Sequence, residues 1–162
     1  EMPVRDLKCV PTLKELNVFY NNFKDMKVKA RKFPNRGLGI QAQEDIPAGR
    51  VVAYYRVRSV PANTNKKCQE YTVDIGTERD GVLDETLVYG VYRNIPYIGS
   101  FCNEPGYGKT ENVDLHDASA TQRIGYKDMK LVSTRFIKKG EEIVWCYGES
   151  YGKRKYKTPC SQ

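Results

Sequence analysis

From Val28 onward the chain consists of short apolar or alternating runs, each long enough for one strand and separated from the next by turn residues. KVKA, GLGIQA, RVVAYYRVRSV, EYTVDI, GVLDET, NVDL, KLVSTRFI and EEIVWCY follow in order, with Pro34-Asn35, Pro47-Ala48-Gly49 and Lys139-Gly140 as breaks. Runs of this kind favour strands, because alternate side chains then share one face while Gly, Pro and Asn close the turns. The pattern predicts a mostly β architecture of several small sheets with short helices.

One helix is expected ahead of that region. In PTLKELNVFYNNFKDM, Thr12 and Glu15 stand at capping-box spacing, and Leu16, Phe19, Phe23 and Met26 keep a three-four rhythm. These features predict a short amphipathic helix laid on the core.

At 162 residues, 40% of them hydrophobic, the chain has the size of one domain with a modest core. No apolar stretch approaches the roughly 20 residues of a membrane span, and no secretory h-region is evident. Five cysteines, Cys9, Cys68, Cys102, Cys146 and Cys160, form an odd set without a CxxC pair. The expectation is free thiols in a nuclear or cytosolic protein that is not secreted. A net charge of +7 would suit an acidic partner, yet the basic residues are dispersed except at Lys153, Arg154, Lys155 and Lys157. That dispersal disfavours direct nucleic-acid binding.

Two chemical motifs fail on inspection. GYGKT, residues 106–110, resembles the end of a phosphate loop, but the required first glycine falls on Asn103. His116 is the only histidine, so a metal site needing two is excluded, and no cysteine cluster offers a structural zinc its ligands. No metal is expected, and His116 reads as structural.

Three longer motifs occur in order. RGLGIQAQEDIPAG carries Gly37, Gly39, Ala42, Asp45, Ile46 and Gly49; SFCNEPGYGKTENV carries Phe101, Asn103 and Asn112; STRFIKKGEEIVWCYG carries Arg135, Ile137, Gly140, Glu141, Glu142, Ile143, Tyr147 and Gly148. Together they resemble the SET domain, the fold of most protein-lysine methyltransferases, over about Val28 to Tyr151. The departures are Val57 for a glycine, Ser100 for an arginine, Glu104 for a histidine and Cys146 for an aspartate.

The resemblance implies a SET-domain fold of small sheets with a C-terminal pseudoknot-like crossing to which Asn112 contributes. It divides the chain into a flanking segment with the helix (1–27), the SET domain (28–151) and a basic tail (152–162). It implies S-adenosylmethionine as methyl donor, with S-adenosylhomocysteine as product, held by Gly37, Leu38, Gly39, Asn103, Glu104 and Tyr147. Tyr147, Tyr71 and Tyr55 become the catalytic candidates, and Trp145, Tyr71 and Tyr151 the walls of the lysine channel. The implied partner is a protein presenting a lysine, such as a histone tail, drawn in by Glu70, Glu78, Asp80 and Glu85. A homodimer is conceivable, because the cysteine-rich zinc segment that often closes the channel is missing. Two alternatives stay open: a catalytically silent SET-like module that binds a peptide or partner, and a basic nucleic-acid-associated domain.

Overall fold

The computed structural model describes residues 7–34, 36–65, 68, 71–106, 108–147 and 159–160. The helix α1 spans Leu13–Tyr20, and its capping box is complete: the Thr12 hydroxyl accepts from the Glu15 N–H while the Glu15 carboxylate accepts from the Thr12 N–H. Leu16 is fully buried under it. The helix ends earlier than the three-four rhythm suggests, because the Asn22 side-chain amide donates to the Val18 and Phe19 carbonyls. Phe23 is consequently exposed and, like Met26, lies beyond the helix.

Ten strands follow among the described residues: β1 (Val28–Phe33), β2 (Gly37–Ala42), β3 (Val51–Pro61), β4 (Val73–Asp74), β5 (Arg79–Val82), β6 (Val91–Tyr92), β7 (Ile95–Pro96), β8 (Val113–Asp117), β9 (Tyr126–Ser133) and β10 (Glu142–Ile143). They form a three-stranded sheet, β1-β2-β10, a five-stranded sheet, β4-β5-β3-β9-β8, and the small hairpin β6-β7. Among the described residues the helices after α1 are single 3-10 turns. The expected mostly β fold of small sheets is therefore present.

Some boundaries differ from the sequence pattern. GVLDET does not continue as a strand, because Asp84 caps the 3-10 turn Glu85–Val88 by accepting the Thr86 N–H. The hairpin β6-β7 has no glycine at its turn; Arg93 and Asn94 both adopt left-handed φ, 50° and 63°, so the usual sequence signal is absent.

The core lies between the sheets and is built of Leu16, Ile40, Ile98, Leu131, Ile137 and Ile143, all at most 1% exposed. Strand β3 divides its side chains between two environments. Tyr55 and Val57 enter this core, whereas Tyr54 packs with Tyr97 and Ala118 in a second cluster. Val57, where the SET pattern has glycine, is accommodated by Gly81: a Cβ there would collide with the Val57 side chain.

The expectation of free thiols is corrected. Cys9 bonds Cys68 across 59 residues of sequence, and Cys146 bonds Cys160 across 14; only Cys102 is a thiol, and it is buried. Spacing gave no sign of either pairing, since chain reversals bring each pair of Cα atoms to 5.6 and 5.4 Å. The reducing-compartment reading loses the support it took from those thiols.

Candidate active site at the strand crossing

The site begins with the pairing of β10 against β2, which sets Ile143 opposite Ile40 and Glu142 opposite Gln41. Beyond β10 the chain runs between two other segments. On one side Val144 makes a parallel bridge with Asn103, and the Trp145 N–H donates to the Asn103 carbonyl at 3.1 Å. On the other, the Asn112 side chain clamps the same strand: its Oδ1 accepts from the Val144 N–H at 2.8 Å and its Nδ2 donates to the Glu142 carbonyl at 2.9 Å. The result is a strand threaded between two segments that are themselves continuous in sequence, the pseudoknot-like crossing.

Gly37, Leu38 and Gly39 form the floor beside it. Gly37 has φ +74°, a conformation that L side chains rarely adopt, and the space a Cβ would enter is open. At Gly39 a Cβ would lie 2.7 Å from Asn103 Nδ2, 2.8 Å from Glu142 Oε2 and 2.8 Å from the Phe33 ring, so only glycine fits. The Asn103 amide nitrogen donates to the Leu38 carbonyl at 3.1 Å and to Glu142 Oε2 at 2.9 Å. Both partners are acceptors, which fixes the orientation of the amide. Asn103 Oδ1 is left with no hydrogen-bond partner among the described residues.

Glu142 also accepts from Arg36 Nη1 at 2.9 Å. Burial pushes the Glu142 carboxyl above its usual range, against the lowering effects of the Asn103 hydrogen bond and the Arg36 charge. Arg36 reaches further, donating from Nη2 to the Glu104 carbonyl. Glu104 is 1% exposed, and its carboxylate accepts the Tyr147 N–H at 2.7 Å. The acidic replacement of histidine is thus a buried acceptor for the tyrosine strand. Tyr147 donates its hydroxyl to the Cys102 carbonyl at 3.0 Å, and its ring meets Trp145 edge-on with centroids 5.4 Å apart. The Cys102 thiol is pushed well up by burial and by the Glu142 charge, so it is no nucleophile at neutral pH.

Of the residues expected here, Gly37, Leu38, Gly39, Asn103, Glu104, Trp145 and Tyr147 come together at the crossing. Tyr55 and Tyr71 form a pair of their own: Tyr55 is 5% exposed, its hydroxyl reaches toward the Tyr71 carbonyl at 3.5 Å, and burial raises its phenol pKa far above the ordinary 10. Tyr151, expected in the channel, and Glu70, expected to draw in a substrate, lie outside the described residues. Glu85, offered as a surface acid, is instead 3% exposed and accepts the Lys8 N–H at 3.0 Å. Ser100, in the arginine position, has a buried hydroxyl without a partner among the described residues. Cys146, in the aspartate position, is consumed by its disulfide. His116 is exposed on β8 opposite Lys130. Arg36 was missed; its only signal was a guanidinium immediately before the Gly-x-Gly.

A small-residue hairpin and a threaded C-terminal strand joined through Asn103, Asn112 and Glu142 define the class of protein. The SET-domain pattern matches residues 37–148, more than half of the chain, and the protein belongs to the SET-domain family, the family of protein-lysine methyltransferases. A similar fold occurs in the crystal structure of a Plasmodium falciparum protein provisionally described as a histone methyltransferase, with a TM-score of 0.52 and 19% identity. The likeness covers 77% of this chain and 96% of that one. No curated protein sequence matches.

Proposed function

We propose that this protein transfers a methyl group from S-adenosylmethionine to the side-chain amine of a lysine in another protein, with a histone-like tail as the substrate class. The observation that carries the reading is Asn103: its nitrogen is fixed by Leu38 and Glu142 against Gly39, and its Oδ1 has no hydrogen-bond partner among the described residues. The donor's amino acid moiety carries an ammonium, which that oxygen and the backbone carbonyls of Gly37 and Leu38 suit as acceptors. The residues present therefore fit the group, with Gly37, Leu38, Gly39 and Asn103 as its holders. When bound, the donor supplies an electrophilic methyl on a positively charged sulfur.

The chain's own residues have two tasks. A free lysine, with pKa about 10.4, is almost wholly protonated at neutral pH, so the site must favour the neutral amine. Aromatic walls from Trp145 and Tyr147 do so by withholding water from the ammonium, which loses its proton to solvent before it reacts. The second task is alignment. Tyr147 is held at both ends, at its backbone N–H by Glu104 and at its hydroxyl by the Cys102 carbonyl, so its ring keeps one orientation toward the incoming amine. Tyr55, kept neutral by burial, is a phenol and not a base.

Calorimetric titration with S-adenosylmethionine, followed by transfer of a radiolabelled methyl group to a histone mixture, tests the reading. Donor binding that is weakened at least tenfold in Asn103→Ala, together with label on lysine, is expected. Donor binding without transfer would favour the silent partner-binding module, and the absence of both would end the enzyme reading.

A further inference from the structure

A second concavity lies on the other side of β3. Where Tyr55 and Val57 face the main core, Arg56 projects from the opposite face into a cleft of about 510 Å³ whose walls include Tyr92, Tyr97, Arg123 and Tyr126. None of its lining residues belongs to the strand crossing. Its volume is in the range of small-molecule sites.

The walls are held in place. Arg56 is clamped from behind by Asp128, its cross-strand partner, with Nε and Nη2 each 2.6 Å from a carboxylate oxygen, and Nη2 also donates to the Thr121 carbonyl at 3.0 Å. Its guanidinium lies over the Tyr97 ring at 4.9 Å and beside Tyr126 at 5.8 Å. Across the cleft, the loop carrying Gly90 is fixed by the Tyr20 hydroxyl, which sits 2.6 Å from the Val88 carbonyl and 3.1 Å from that of Gly90. Tyr97 closes the corner by donating its N–H to the Gly90 carbonyl at 3.0 Å. The neighbouring hairpin is anchored through Asn94, whose amide donates to the Asp25 carbonyl at 2.8 Å.

The polar groups of this cleft are unbalanced. No carboxylate lines it among the described residues: Asp128 is fully buried behind Arg56, and Asp84 is committed to Arg58 and Thr86. The donors are in excess. Among the described residues Arg56 Nη1 has no partner, although the Arg56 charge is balanced by Asp128, and the Arg123 side chain makes no hydrogen bond or ion pair. The rings of Tyr92, Tyr97 and Tyr126 line the same cleft, with Leu87 and Val91 adding apolar surface. The uncompensated charge of Arg123 and the open Nη1 of Arg56 call for an anion, and ring walls call for a flat body attached to it.

We propose that this cleft is a second ligand site that takes a nucleoside monophosphate, with the phosphate between Arg56 and Arg123 and the base against the tyrosine rings. The site is independent of methyl transfer, so it stands or falls apart from that reading.

Calorimetry with AMP on the full chain is the test, with adenosine, ribose 5-phosphate and inorganic phosphate as comparators. Arg123→Ala is the variant of choice, because the Arg123 side chain has no hydrogen-bond or ion-pair partner among the described residues, whereas removing Arg56 would strand the buried Asp128. AMP is expected to bind more tightly than each comparator, to weaken about tenfold in Arg123→Ala and with added salt, and to be unaffected by Asn103→Ala. Displacement of AMP by S-adenosylhomocysteine would place it at the crossing and overturn the proposal. So would no AMP binding at millimolar concentration, equal binding of adenosine, equal binding of ribose 5-phosphate, or an unchanged affinity in Arg123→Ala.

Discussion

Asn103 and Glu142, 39 residues apart in sequence, meet at 2.9 Å directly against the α-carbon of Gly39. That contact joins the segment after the 3-10 turn Gly99–Phe101 to the threaded strand β10, and it leaves no room for a side chain at position 39 of β2. Gly39→Ala is therefore expected to destabilise the fold by about 1–3 kcal/mol, the usual range for overpacking. Thermal denaturation would show a fall of several degrees; an unchanged midpoint would mean that the crossing yields freely.

Glu142 gives this region a pH signature. Burial raises its folded pKa above the ordinary 4.5, so the native state holds this proton more tightly than the unfolded chain does. The resulting stability is fully present below 4.5 and is lost as pH rises through the folded value. Glu142→Gln has no proton to lose, and its urea midpoint should decline less than the parent's over the interval just above pH 4.5. Parallel profiles for the two proteins would remove Glu142 from this role.

Glu104 separates two ways of replacing a side chain. Glu104→Gln keeps an oxygen for the Tyr147 N–H, and a stability change of under about 1 kcal/mol is expected. Glu104→Ala strands that N–H in a site 1% exposed and should cost about 1–3 kcal/mol. Equal denaturant midpoints for the two variants would show that the hydrogen bond contributes nothing.

Thiol titration checks the disulfides directly. The oxidised protein should release one reactive thiol on denaturation, that of Cys102, and five after reduction. Closing the 59-residue separation between Cys9 and Cys68 stabilises by about 4 kcal/mol in the chain-entropy picture, and the 14-residue one between Cys146 and Cys160 by about 3 kcal/mol. Cys9→Ser together with Cys68→Ser should accordingly lower the denaturant midpoint well beyond experimental scatter.

What the sequence determined by itself is local. The Thr12 and Glu15 capping box, the short strands and the left-handed Gly37 depend on conformations and hydrogen bonds spanning a few residues, so their spacing carries the information. The motifs around Gly39, Asn103 and Glu142 were also legible, because each is a contiguous string. Tertiary structure decided what those strings do to one another. Arg36 meets Glu142 across 106 positions, Gly81 makes room for Val57, Glu104 becomes the acceptor for Tyr147, and four cysteines find partners. Such pairings arise only when distant segments close on one another, and neither residue type nor spacing specifies the partner. The cleft behind β3 is of the same kind: Arg56 and Arg123 are 67 apart in number, and only the β3-β9 register makes them neighbours of one space.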